Sequence, residues 1–293
     1  MTGRVSASLR TLILAGIVLG AFMAAGAGSA VAAPKGEYAV FYDCPLSNPE
    51  LSGCLSAKTK SGEITLGKKT VPITKEIVLQ GGFIEHNEGT SFTFVNAADG
   101  NTLSKSPQKV PGGLAGLVNC PEIKNFLLRI LCEGVFENGL TGVNATTELA
   151  GPVGLNELAL LGEVGTAVSL PVKIKLENPL LGSECYIGSN SNPVTLNLTT
   201  GTTKPLPPNK PISGTSGTLT TRAEGGILVI SNTSLVENAF SAPGATGCGG
   251  VLSFVLDPLI NAKLGIPAGD GYNTAILNGN EEQTNAEEAR RHE

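Results

Sequence analysis

Few residues in this chain could do chemistry. His86 is the only histidine in the body of the chain, with His292 near the end. A Ser–His–acid triad would have to use His86 as its base. That histidine lies in IEHNEG, a stretch that reads as a hairpin turn, with Glu88 two residues on. One functional reading is therefore a secreted hydrolase of unrecognised type, using carboxylates or a Ser near His86. The plainer reading is a solvated turn. No G-x-S-x-G elbow exists. GTSGT around Ser216 comes nearest, but it follows the Pro-rich stretch KPLPPNKPISGTSG (204–217) and not a strand. Glu88 and Glu224 each precede a glycine and could pair for glycoside hydrolysis, or simply be polar residues before turns. Asp99 in ADGN and Asp270 in GDGYN look like fragments of calcium loops, without the alternating ligands and distal Glu of an EF-hand. No catalytic, metal-binding or cofactor-binding residue is assigned from these patterns, and no cofactor is expected.

The elements that would position such residues are mostly strands. SLPVKIKLE puts Leu170, Val172, Ile174 and Leu176 on one face and Lys173 and Lys175 on the other, a period of two. GEITLGKKTVPI, KEIVLQGGF, SFTFV and GILVIS read the same way. Two stretches read as helices. CPEIKNFLLRILCEG spaces Ile123, Phe126, Leu127, Ile130 and Leu131 along one helical face. VLSFVLDPLINAKLG is the second, expected to break or kink at Pro258. Gly and Pro are abundant, at 38 and 18, which suits short strands joined by tight turns.

The chain also echoes itself. NPELSGC (48–54) returns as NPLLGSEC (178–185), each followed by a strand. Glu88-Gly89 aligns with Glu224-Gly225, Cys120 and Cys248 each precede an apolar helical stretch, and GVNATTELAG (142–151) aligns with GYNTAILNG (271–279). Matches in constant order point to a tandem duplication. The expected architecture is mainly β: two tandem homologous β-sandwich-like halves, 36–151 and 152–280, each with one short packed helix and a disulfide.

Six cysteines in an exported chain suggest three disulfides. The duplication argues for Cys54–Cys120 and Cys185–Cys248 as equivalent links, leaving Cys44–Cys132. The rival scheme joins neighbours, Cys44–Cys54 and Cys120–Cys132. A single helix over 120–132 would hold its ends roughly 18 Å apart, too far for a disulfide.

Residues 1–32 read as a signal peptide. Arg4 and Arg10 precede a long uncharged stretch, and Ala30-Val31-Ala32 offers a small-x-small cleavage site. An uncleaved anchor is the alternative, because the apolar run is long enough to span. Cleavage after Ala32 removes two Arg and no acid, leaving 18 basic against 25 acidic residues. No basic face invites nucleic acid, and no stable membrane insertion is expected after cleavage. The final segment, 281–293, holds five acids and two arginines and reads as a flexible acidic tail. Trp is absent and aromatic residues are 4%, so the core must be aliphatic and aromatic stacking platforms are scarce.

The strings NPELSGC, PGGLAGLVNCPEI, GLTGVNATTELAG, GSECYIGSNSNPV and PGATGCGG resemble a family of uncharacterised exported proteins of actinobacteria over nearly the whole mature length. That resemblance implies export and no particular chemistry. The expectation is a secreted, extracellular or cell-envelope protein without enzymatic activity, binding a small apolar ligand or a partner surface.

Overall fold

The alternation read from SLPVKIKLE is the backbone of one layer. In the computed structural model, β8 (Val168–Glu177) buries every second residue, from Val168 to Leu176. The structure describes residues 33–293 except 88–90, 119, 128, 131–132 and 134–140. The expected signal peptide 1–32, Glu88, Leu131 and Cys132 lie outside the described residues.

Ahead of β8 in the chain come β1 (Gly53–Leu66), β2 (Lys69–Pro72), β3 (Ile77–His86), β4 (Ser91–Asn96), β5 (Gln108–Lys109), β6 (Asn144–Leu149) and β7 (Gly154–Leu155), then the short helix α1 (Glu157–Gly162). After it come β9 (Tyr186–Ile187), β10 (Val194–Leu198), β11 (Thr218–Arg222), β12 (Ile227–Glu237) and β13 (Ala245–Thr246). Helix α2 (Ser253–Leu264), β14 (Thr274–Asn285) and α3 (Ala286–Arg291) complete the described chain.

These strands form two antiparallel sheets. The first runs β11-β12-β14-β1-β3-β4, with β2 also on β1. The second runs β13-β9-β8-β6-β5, with β7 and β10 also on β8. Their facing sides share one aliphatic core that includes Leu55 and Ile230 from the first sheet and Leu170, Val172 and Leu196 from the second. Each fully buried Leu, Ile or Val in it contributes about 1.5–3 kcal/mol.

The mainly β, sandwich-like character therefore holds, but the boundary expected at 151/152 does not follow the layers. Both sheets take strands from both segments. The longest pairing runs from Gly53↔Asn285 to Thr65↔Thr274, joining β1 to the far end of the chain. The described residues belong to one compact unit.

The acidic end is not a flexible tail. Residues 281–285 lie within β14, hydrogen-bonded between β1 and β12, and α3 packs Ala286 and Ala289 against Tyr38, Phe41, Leu46 and Leu51 on the outer side of the first sheet. Arg290 donates from Nε to Leu46 O at 3.1 Å and from Nη2 to Asn48 O at 2.7 Å. Tyr38 stacks on His292 with ring centroids 4.0 Å apart. Charge count suggested solvent, but small residues on one helical face decide the placement.

The cysteines divide. Cys185–Cys248 is formed, with Cα atoms 4.1 Å apart. Cys54 is joined to Cys44, with Cα atoms 5.5 Å apart, so the expected Cys54–Cys120 and Cys44–Cys132 links are corrected. The reason is strand alternation: Leu55 points into the sandwich, whereas Cys54 points outward into the cluster of Tyr38, Phe41 and Leu51. Cys120 follows Leu114, Leu117 and Val118, which belong to the inner core. Cys120 is itself disulfide-bonded.

The echoed phrases do share a local fold. Asn48 Oδ1 accepts from Glu50 N–H at 3.0 Å, and Asn178 Oδ1 accepts from Leu180 N–H at 2.9 Å. Each turn then buries the next leucine, Leu51 or Leu181. Helix α2 continues through Pro258 without the expected break.

Candidate functional site

Strand β14 carries the site. Its odd-numbered residues face the second sheet, so Ala275, Leu277, Glu281 and Gln283 share one side. Glu281 is 5% exposed and lines a cavity of about 70 Å³ otherwise walled mainly by aliphatic side chains, among them Leu55, Leu155, Val168, Leu198, Leu235 and Leu277. A second cavity of about 50 Å³ lies beside it, lined by Leu66, Val110, Leu117, Leu176, Ile187 and Leu264 among others. Ile64, Ile77 and Thr147 wall both. Each is several times the ~10–15 Å³ that holds a water and well below the ~150 Å³ that holds benzene.

A second carboxyl joins Glu281. Asn156 caps α1 by accepting from Ala159 N–H at 3.0 Å, which fixes Glu157 in the first turn. Gln283 Nε2 donates to Glu157 Oε1 at 2.8 Å and to Glu281 Oε1. Burial pushes the Glu281 carboxyl up to about 8, with the nearby Glu157 charge adding to it and the Gln283 hydrogen bond opposing. Burial also raises Glu157, again against the Gln283 hydrogen bond. Two acids sharing one amide donor in a dry site cannot both ionise cheaply. Glu281 is therefore a neutral acid at neutral pH, able to donate a hydrogen bond as well as accept one.

The two apolar stretches that read as helices follow β5 and β13. Strands β5 and β13 leave the second sheet at the end marked by Glu177, since Lys109 pairs with Asn144, Asn144 with Glu177, and Thr246 with Tyr186 beside Lys175. Leu117 and Leu264 from the segments that follow line the 50 Å³ cavity. The same segments leave large apolar residues in solvent: Phe126 (63% exposed), Leu127 and Ile130 in one, Val251 (91%) and Phe254 in the other. Both were expected to pack as core; among their described residues Cys120, Ile123, Ile260 and Leu264 are buried.

The residues singled out from sequence fall elsewhere. His86 is exposed at the end of β3, with Nε2 2.9 Å from Thr93 Oγ1. Ser216 donates to Glu163 Oε1 at 3.0 Å on the surface, far in kind from a nucleophile beside a base. Glu224 is exposed in a left-handed turn at φ 54°. Asp270 accepts from Leu206 N–H at 3.3 Å. No group of three or more His, Cys, Asp or Glu gathers as metal ligands among the described residues. Nor is any helix among them long and apolar enough to cross a membrane.

Sequence reasoning missed Glu281 and Glu157. The signal for Glu281 was present: the apolar-in pattern of Ala275, Leu277 and Gly279 continues in step to Glu281 and Gln283.

The arrangement defines a class: an antiparallel β-sandwich whose aliphatic interior ends on a buried carboxyl, Glu281, linked through Gln283 to the half-buried Glu157. No family model, no curated protein and no solved structure matches the chain.

Proposed function

We propose that this is a secreted, non-enzymatic extracellular or cell-envelope protein that takes a small or slender apolar group into the space between its sheets. The observation that carries the reading is the pair of adjoining aliphatic cavities ending on Glu281. Ligand sites are mostly apolar with a few placed polar groups, which is the composition here. The cavity sizes fit an alkyl branch or chain end, with Glu281 as the carboxyl that orients a polar head. Leu117 and Leu264 line the smaller cavity, and the segments they belong to carry the exposed Phe126, Leu127, Val251 and Phe254, apolar surface of the kind that meets an apolar partner. The two described disulfides and the resemblance to exported proteins support a location outside the cytoplasm.

The test is native mass spectrometry of the protein taken from its own secretions, with displacement of an apolar fluorophore by short-chain alcohols and fatty acids. A retained small apolar molecule, or competitive displacement lost in Ala145→Val, supports the reading. A clean apo mass together with no fluorophore uptake overturns it. The hydrolase alternative near His86 gains no support from that histidine's exposed setting beside Thr93. Turnover of an ester or glycoside that is lost in His86→Ala would revive it.

A further inference from the structure

Gln283 connects the cavity acid to an open groove. On β14, Glu281 pairs across Ala57 and Ile230, and Gln283, the next residue on the same face, across Leu55 and Leu228. Glu281 lines the 70 Å³ cavity. Gln283 lines a groove of about 420 Å³ with Ser52, Phe83, Glu85, Leu228 and Glu288. The half-buried Glu157 reaches the same amide from α1. Groove and cavity are thus joined by one side chain, with a carboxyl on either side of it.

The junction is rich in acceptors and poor in donors. Gln283 Nε2 spends its two hydrogens on Glu157 Oε1, at 2.8 Å, and on Glu281 Oε1. Each carboxyl keeps a second oxygen, and burial in an aliphatic wall makes an unmet acceptor costly. What the junction lacks is a group that donates hydrogen bonds. Charge points the same way. Among the described residues, the linings of groove and cavity include Glu85, Glu288 and Glu281 and no Lys, Arg or His. Glu288 is also paired with Arg291 Nη1 at 2.8 Å. The other walls of the cavity, from β1, β3, β6, β7, β8, β10 and β12, are aliphatic or Thr, so Glu157 is the titratable group that faces Glu281.

We infer that the cavity takes a small primary aliphatic amine, its alkyl chain among the aliphatic walls, its ammonium on Glu281 and Glu157, and the groove at Gln283 its way in. The inference rests on the apolar-cavity reading above and names the head group selected there. An ammonium brings three N–H donors and a positive charge to a site short of both. A hydroxyl brings one donor and a further acceptor. A carboxylate brings acceptors and like charge. Beside an ammonium the carboxylate form of Glu281 is favoured, so the neutral acid and the alkylammonium combine as an ion pair and one proton leaves to solvent.

Probes with one butyl tail separate the head groups: n-butylamine, 1-butanol and butyrate, added to the unaltered protein and followed by saturation-transfer NMR and calorimetry. At neutral pH butylamine should bind about tenfold or more tighter than butanol, with butyrate weakest. Calorimetry in buffers of different ionisation heat should show release of about one proton, fading as the pH passes the value near 8 to which Glu281 holds its own. Glu281→Gln should erase both the amine preference and the proton release. Glu163→Gln, on the surface at Ser216, should keep both. Thermal midpoints show that each variant is folded, and selectivity and proton release are read on the unaltered protein in any case. If butanol or butyrate binds as well as butylamine, or if butylamine binds without proton release or equally in Glu281→Gln, the amine assignment falls and the apolar-cavity reading stands. If none of the three binds, both fall.

Discussion

Glu157 and Glu281, one on a short helix and the other on a central strand, share a single hydrogen-bond donor, Nε2 of Gln283. The site is thus acid, amide, acid, with at least one proton held in place at neutral pH.

Stability should fall as pH rises through this site. An unfolded Glu loses its proton near 4.5, whereas folded Glu281 holds it to about 8. Between those values the folded state binds the extra proton, so stability declines with pH by at most about 1.4 kcal/mol per unit, and the slope vanishes above and below the window. Glu281→Gln imitates the protonated acid and should flatten the decline by about one proton's worth. Urea unfolding from pH 5 to 9 measures both; parallel curves for the two proteins would refute the assignment.

Filling the smaller cavity should stabilise. Ala145 lines it from β6, and Val suits a strand. Two added methyl groups in available space give about 1 kcal/mol of stabilisation, less any strain. The same variant should lose uptake of an apolar fluorophore. A destabilised protein would mean that the space is not available to side chains.

Asn273 should be irreplaceable. It is fully buried, accepts from Gly67 N–H at 3.0 Å and donates to Phe240 O at 2.8 Å and Gly269 O at 3.0 Å. Asn273→Ala strands backbone groups at about 1–3 kcal/mol each, so a loss of about 3 kcal/mol or more is expected. Asn144, which occupies the aligned position in the earlier phrase, is exposed, and its replacement by Ala should cost under about 0.5 kcal/mol. Chemical denaturation of the two variants gives the comparison.

The two described disulfides should differ in worth. Cys185–Cys248 closes a separation of 63 residues and Cys44–Cys54 one of 10. Chain entropy assigns them about 4 and about 3 kcal/mol. Paired Cys→Ala variants, compared by thermal unfolding, should show the larger loss for the 185–248 pair.

Strand alternation was the most legible feature. Leu170, Val172, Ile174 and Leu176 are buried as their spacing requires, and the hairpin stretches became β1 to β4 and β12. The site was not legible, because Glu281 was counted with its charged neighbours as a solvated end. Periodicity in β14 carries a different message from charge, and burial against Leu235 and Leu277 decides between them. The cysteines failed for another reason. Equivalence of Cys54 and Cys185 rests on a shared turn at Asn48 and Asn178, yet Cys54 faces away from the sandwich and Cys185 toward it. Local likeness does not fix which layer a side chain joins. The helical stretches were recognised, but spacing cannot tell an apolar face that packs from one that stays in solvent, as Phe126 and Phe254 do.

The rung between β1 and β12 is made of residues 274–285, more than two hundred positions after Gly53. Until that stretch has emerged, β1 lacks a neighbour on one side and the hairpin of β11 and β12 has nothing to join. A nascent chain of this protein therefore keeps its first sheet open until residues 274–285 have emerged, and zips it shut once that rung arrives.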